Sequence, residues 1–336
     1  MILRRMLIAN RGEIAVRVIR TCRRLGIETA LTVAAGDADS VPARLADKTI
    51  AIGSYLDVGE VVGAAVAAGA EAIHPGYGFL SENPRLARAC EAAGIVFIGP
   101  GADVLEAAGD KLAARNHAVA AGLPVLPGGL VRAGAAGEIA GRIGYPVLVK
   151  AAGGGGGRGL RVVRDPADLA GAVAMGSAEA QAAFGDGRVY LERYVAAGRH
   201  IEVQLLGDGE NVIHLGDRDC SVQRRYAKLI EEAPAPRLGE TLRVGMRAAA
   251  VAFGQHLKYQ GLGTVEFLVD AGRSEFWFLE VNARIQVEHP VTEAVTGLDL
   301  VAEPAPLRDR DLLGHQVEAG STPRTPRPGS GQVPDA

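Results

Sequence analysis

Two stretches of this chain carry residue types whose spacing suits phosphate chemistry. KAAGGGGGRG (150–159) sets five glycines between a lysine and an arginine, and FLEVNARIQVE (278–288) places Glu280, Asn282, Arg284, Gln286 and Glu288 at every second position. Glycine N–H groups can approach phosphate oxygens closely, while Lys150 supplies a point charge. The run is not a Walker A loop, since no GK[ST] follows the glycines. A flexible linker is the competing reading. YPVLVK (145–150) before the glycines and LRVVRD (160–165) after them both read as strands, which favours a hairpin-type loop.

In the second stretch, a strand reaching residue 288 would put all five polar groups on one face and Val281, Ala283, Ile285 and Val287 on the other. Glu266 in TVEFLVD sits between two apolar residues and so has a polar face of its own. Two glutamates and an asparagine carbonyl on adjacent strands form an all-oxygen ligand set that suits Mg²⁺ or Mn²⁺. The alternative is a solvated sheet face. Such faces tend to carry lysine and threonine, whereas this one holds asparagine, arginine and glutamine among its glutamates.

RDCSVQRRYAKLIEEAP (218–234) is dense in charge and reads either as an exposed loop or as part of the same chemistry. Cys220 within it reads as structural rather than nucleophilic. His200, taken alone, reads as structural too.

These groups need a scaffold, and the chain offers two kinds. Over residues 1–100, short strands such as MLIA (6–9) and ETALTV (28–33) alternate with helices at 11–26 and 59–69, a pattern of parallel, doubly wound α/β structure. ANRGEIA lacks a full GxGxxG, so it does not read as a dinucleotide site. After a helix at 109–122 come PVLPGG, the glycine hairpin, VYLERYV (189–195), HIEVQLLGDG (200–209), GTVEFLVD (263–270) and EFWFLEVNARIQVE (275–288), an α+β block of antiparallel character. HIEVQLLGDG alternates Ile201, Val203 and Leu205 against Glu202 and Gln204, the signature of a half-buried strand. Beyond 303 the chain is proline-rich and aperiodic, so 304–336 is expected to be a disordered tail.

A net charge of −3 excludes a general nucleic-acid footprint. The N-terminal apolar run is too short for a signal peptide, and no stretch approaches a membrane span. Cys22, Cys90 and Cys220 are odd in number and far apart, which argues against disulfides and for a reducing, cytoplasmic setting.

Taken together, ANRGEIAVRVIR, AIHPGYGFLSEN, GDK, YPVLVKAAGGGGGRG, RDCSVQRR, EEAPAP and EVNARIQVEHPVTEAVTGLDL closely resemble the biotin carboxylases, the ATP-grasp components of acetyl-CoA and other acyl-CoA carboxylases, from the N-terminus to about residue 303. The resemblance implies a Rossmann-like, pre-ATP-grasp domain over 1–110. An ATP-grasp domain would follow over 111–303, with a glycine-rich lid at about 125–195 and an incomplete C-terminal sheet domain. It implies that Lys111 and Lys150 meet ATP phosphates, that Gly156 and Gly157 belong to the lid loop, and that Glu192, Arg193, Tyr194 and Val195 form the adenine hinge with His200 nearby. Glu266, Glu280 and Asn282 would hold the metal. Lys228, Arg284 and Val287 would contact bicarbonate, with Arg284 the catalytic arginine and Glu288 the general base. The implied reaction is carboxylation of biotin through carboxyphosphate. Implied partners are a biotin carboxyl carrier protein, a carboxyltransferase and, in the family, a second copy of the chain.

Two departures stand out. Tyr226 stands where the family has a histidine near the nucleotide, and EPAPLRDRD replaces the family's continuation, which carries a further arginine. The expectation is therefore a truncated chain with impaired turnover. An inactive ATP-binding remnant and another ATP-grasp carboxylate ligase are the alternatives.

Overall fold

A computed structural model describes residues 3–132, 134–152, 160–224, 227–270 and 272–303. The first hundred residues build a parallel sheet from β1 (Arg5–Ile8), β2 (Glu28–Val33), β3 (Lys48–Ala51), β4 (Ala72–His74) and β5 (Val96–Phe97), in the order β3-β2-β1-β4-β5. The strands alternate with α1 (Gly12–Arg24), α2 (Val41–Leu45), α3 (Val58–Ala68) and α4 (Pro84–Ala92), which agrees with the α/β reading. Ile14, Val18 and Cys22 fall one turn apart on α1 and are all buried. Strand order reverses between β1 and β4, the switch point at which such sheets open a crevice. Asn10, just past β1, bridges it by donating to the carbonyls of Pro75 and Tyr77 at 2.7 and 2.8 Å.

Helices α5 (Ala102–Gly109) and α6 (Lys111–Ala120) lead to a second, four-stranded sheet. It comprises β6 (Gly128–Leu130), β7 (Val147–Ala151), β8 (Arg161–Val163) and β9 (Val189–Arg193), with α7 (Ala136–Ile143) and α8 (Leu169–Phe184) between strands. The runs flanking the glycines pair antiparallel as expected of a hairpin, Val147 opposite Val163 and Val149 opposite Arg161. Gly156 and Gly157 themselves lie outside the described residues.

A third sheet holds β10 (Arg199–Asp208), β11 (Val212–Arg224), β12 (Ala227–Glu232), β13 (Gln260–Asp270) and β14 (Glu275–Asn282), all antiparallel in the order β12-β11-β10-β13-β14. One face carries Ile201, Val203, Val265, Phe267 and Phe278, packed against Leu242, Met246 and Phe253 of α9 (Glu240–His256) in a single apolar core. Tyr259 is fully buried in that core and donates to the Leu262 carbonyl at 2.9 Å. The chain then turns through 283–288 into α10 (His289–Thr296).

Some expectations need correction. The strand expected over 275–288 stops at Asn282, because the Ala283 amide is taken by Glu82 Oε1 at 3.0 Å and the backbone leaves the sheet. Val287, expected on an apolar face, is 60% exposed, while Gln286 and Glu288 are buried. HIEVQLLGDG is a strand but not a half-buried one, since Glu202 and Gln204 are as buried as Ile201 and Val203. The 218–234 segment is no mere exposed loop, since Arg218 and Cys220 are buried in β11 and Lys228 sits on its antiparallel neighbour β12. The residues beyond 303, expected to be disordered, lie outside the described residues.

Candidate active site

The second face of the third sheet holds a row of matched charges. Arg218 on β11 stands opposite Glu202 on β10, Glu202 opposite Glu266 on β13, and Glu266 opposite Glu280 on β14. Like charges directly opposite one another destabilise a sheet unless cations intervene. Here Lys228 intervenes. Its Nζ donates to Glu202 Oε2 at 2.6 Å, Glu266 Oε1 at 2.9 Å and Glu288 Oε1 at 2.5 Å. Burial alone would push the Lys228 ammonium down, but Glu266 and Glu202 outweigh it and hold the lysine well above its ordinary range. Burial would likewise raise Glu288, and Lys228 keeps it below the usual carboxylate range, in its ionised form.

A second polar row, Gln204, Thr264 and Asn282, runs beside the first. The fully buried Arg218 ties the two rows to the elements covering them. Its Nε donates to Glu202 Oε1, its Nη1 to Gln204 Oε1 at 2.9 Å and Thr292 Oγ1 at 2.7 Å, and its Nη2 to Gln286 Oε1 at 3.2 Å. Glu266 Oε1 also accepts from Asn282 Nδ2 at 2.9 Å and Gln286 Nε2 at 3.1 Å. His200 Nε2 lies 2.7 Å from Glu266 Oε2, close enough for an ion pair though not aligned for a linear hydrogen bond. Burial disfavours the imidazolium, yet the Glu266 carboxylate lifts His200 above its ordinary value overall. Burial would raise Glu266, but His200 and Lys228 together hold it far below the carboxylate range.

Arg284 sits at the edge of this cluster. It donates from Nη2 to Asn282 Oδ1 at 2.8 Å and from Nε to Glu82 Oε2 at 3.0 Å. Lys111, the first residue of α6, reaches Glu280 Oε2 at 3.1 Å. Lys150 on β7 pairs with buried Glu192 on β9 at 2.6 Å and lies over the Tyr190 ring, which Arg115 of α6 also approaches. Arg193 stands over the Trp277 ring, and the Tyr194 amide donates to the Pro146 carbonyl, just before Val195. Tyr226 lies outside the described residues.

The structure thus gathers His200, Lys228, Glu266, Asn282, Arg284 and Glu288 into one contiguous cluster, with Glu280 two residues before Asn282 on β14 and Lys111 of α6 paired to it. Glu280 stands apart from the tightest groups, His200–Glu202–Glu266 and Glu202–Cys220–Glu288. Cys220 is buried, and burial pushes its thiol far up, which suits a structural residue. Val287 lies on the far side of the 283–288 turn. There it lines a cavity of about 640 Å³ together with Arg11, Tyr77 and His289, at the carboxyl ends of β1 and β4.

The donor set fits Mg²⁺. Glu266 and Glu280 are register-matched on adjacent strands and offer carboxylate oxygens, while Asn282 beside them turns its amide nitrogen to Glu266 and its oxygen to Arg284, so a rotation of that amide would bring a third oxygen to the metal. Glu280 keeps a third of its side chain exposed, leaving that end of the row open to solvent.

Sequence reasoning missed Glu202, Arg218 and Glu82. One signal was available for part of the cluster. The chain has only five lysines, and three of them, Lys111, Lys150 and Lys228, pair with glutamates here.

Residues 2–105 match the family model for the biotin carboxylase N-terminal domain, and residues 110–311 match that for the carbamoyl-phosphate synthase L chain ATP-binding domain. The chain is 47% identical to biotin carboxylase 1 of Bacillus subtilis, over 90% of this chain and 69% of the relative. It is 46% identical to biotin carboxylase of Haemophilus influenzae, over 98% and 79% of the respective chains. Among solved structures, the biotin carboxylase domain of Hydrogenobacter thermophilus 2-oxoglutarate carboxylase, in complex with MgADP, ADP and bicarbonate, superposes with a TM-score of 0.86. That match has 45% identity and covers 90% of this chain and 69% of that one.

Proposed function

Because the chain belongs to the biotin carboxylase family, we propose that it carboxylates biotin, with ATP and bicarbonate, as the carboxylating component of an acetyl-CoA or other acyl-CoA carboxylase. It is an ATP-dependent ligase. The observation that carries the reading is Lys228, a half-buried cation shared by three carboxylates, Glu202, Glu266 and Glu288, with Arg284 held beside them on Asn282.

In this reading Glu266, Glu280 and Asn282 hold Mg²⁺, which when bound neutralises charge on the transferring phosphoryl group. Lys111 and Lys150 exchange their glutamate partners for phosphate oxygens. The sheet β6–β9, with Gly156 and Gly157, acts as the lid, and Glu192 to Val195 with His200 receive the nucleoside. Tyr226 contributes a hydrogen bond there. Lys228 and Arg284 bind bicarbonate with their side chains and Val287 with its backbone, and Glu288 accepts the proton as the bicarbonate oxygen attacks the γ-phosphorus and ADP departs. Carboxyphosphate then splits into CO₂ and phosphate, the phosphate takes the ureido N–H proton of biotin, Arg284 steadies the negative oxygen so formed, and the biotin nitrogen adds to CO₂. The acceptor is carried on a biotin carboxyl carrier protein or domain, and a carboxyltransferase receives the product. A homodimer is the family's assembly. We place this chemistry in the cytoplasm; among the described residues no helix is long and apolar enough to cross a membrane.

The test is ATP hydrolysis with and without bicarbonate, then with free biotin added. Hydrolysis that requires bicarbonate and rises with biotin supports the reading. Hydrolysis that ignores bicarbonate while another carboxylate stimulates it overturns it.

A further inference from the structure

His117 and His256 take no part in the reaction above, and 139 positions of sequence separate them. The fold nonetheless brings their rings together, with His117 Nδ1 3.1 Å from His256 Nε2 and the ring centroids 5.3 Å apart. His117 stands in the last turn of α6, and His256 closes α9. The two helices are fixed against each other, since Ala114 and Ala118 of α6 share one apolar core with Ala250 and Phe253 of α9. The imidazoles themselves reach the surface, His256 exposed and His117 half-buried. The pair is held from below and open above.

Two facing imidazoles can share a proton, one ring donating to the other. They can also share a metal ion. Two nitrogens bound to zinc at about 2.0–2.1 Å stand roughly 3 Å apart, close to the separation already present here. Imidazole suits zinc, copper and nickel, whereas the oxygen set Glu266, Glu280 and Asn282 suits a harder cation. The helices favour a cation as well. Each histidine lies at the carboxyl end of its helix, where unpaired carbonyls carry about half a negative charge, and the two rings meet between those ends.

We propose that His117 and His256 form a two-histidine site for a divalent transition metal of the zinc, copper or nickel class, which staples α6 to α9. On binding, the proton between the rings passes to the other nitrogen of its own ring. A small rotation then turns both lone pairs onto the ion, and water completes its coordination. Because α6 starts at Lys111, the ion holds by its far end the helix that aims this lysine at Glu280. The site itself does not depend on how the charged row of the third sheet is read.

The test uses the whole chain with one equivalent of Cu²⁺ alone as the probe, read by electron paramagnetic resonance. The wild-type spectrum should carry coupling from two imidazole nitrogens. His117→Gln and His256→Gln should each reduce it to one and weaken copper binding about tenfold or more. Zinc should raise the thermal midpoint of the wild type and leave that of the double variant unmoved. Either single variant that binds copper as the wild type does overturns the proposal. So does a spectrum that His200→Gln abolishes and both surface variants keep, because the ion then sits beside Glu266. If His117→Gln does not fold, the exposed His256→Gln decides by the same readouts.

Discussion

Glu82 grips the turn beside Arg284 at two points, its Oε1 accepting from the Ala283 amide and its Oε2 from Arg284 Nε, each at 3.0 Å. The glutamate comes from the loop after β4 and the arginine from the loop after β14, so one carboxylate joins the parallel sheet to the charged face of the antiparallel one. Glu82→Gln should therefore lower bicarbonate-dependent ATP hydrolysis by roughly ten- to a hundredfold, the rate equivalent of one charge-assisted hydrogen bond. Steady-state kinetics at saturating ATP would show it, and an unaltered rate would mean that Arg284 holds its place without Glu82.

Lys228→Met leaves three carboxylates without their shared cation, all of them with side chains buried beyond nine-tenths. Breaking a buried pair in this way costs about 3–5 kcal/mol. Urea unfolding at neutral pH should register a loss of that order, and a change below about 1 kcal/mol would place the ammonium outside the energetics of the fold.

Glu280→Gln keeps shape and removes a formal charge from the open end of the row. Calorimetry with a non-hydrolysable ATP analogue should show metal-dependent binding weakened by about tenfold, with little change when the metal is omitted. Equal weakening with and without metal would reassign Glu280 to Lys111 alone.

Acid should destabilise the fold through three aspartates outside the site. Asp47 is held below its ordinary value chiefly by the Thr29 amide and hydroxyl. Burial would raise Asp219 and Asp299, but Arg199 with Ser221, and Arg17 with Thr21, lower each of them overall. A carboxylate whose folded pKa lies below the unfolded value of about 3.9 contributes fully above that pH and loses its contribution as pH falls through the folded pKa. Denaturation midpoints should thus drop below about pH 4, and Asp299→Asn should make that acid limb shallower. An acid limb of wild-type steepness in the variant would remove Asp299 from the account.

Gly263→Ala should destabilise by about 1–3 kcal/mol, because the new methyl overlaps the hydroxyl of fully buried Tyr259. Gly171→Ala, in open space on α8, is the control and should be neutral or stabilise by up to about 1 kcal/mol. Thermal unfolding of both variants separates the two outcomes.

Much of this architecture was legible because it is local. The apolar face of α1 and the pairing of the two runs around the glycines follow from periodicity within a few residues. Glu202 was not legible, since an alternating strand cannot say what covers its polar face, and here the covering comes from residues 283–296, some eighty positions later. The run from Glu280 to Glu288 misled for a related reason. Its period of two continues past Asn282, but Glu82 has captured the Ala283 amide, so the later residues are placed by a turn and not by a pleat.

The row Arg218–Glu202–Glu266–Glu280 has a consequence for folding as well. Sliding β10 by one residue against β13 would set Ile201 or Val203 opposite Glu266 and carry Glu202 to the apolar face beneath α9, a charge buried without a partner. The polar face would meanwhile lose the anion that Arg218 and Lys228 share. An apolar sheet of this length could tolerate several alignments of its strands; this one is keyed to a single alignment by charges that a slipped pairing cannot neutralise.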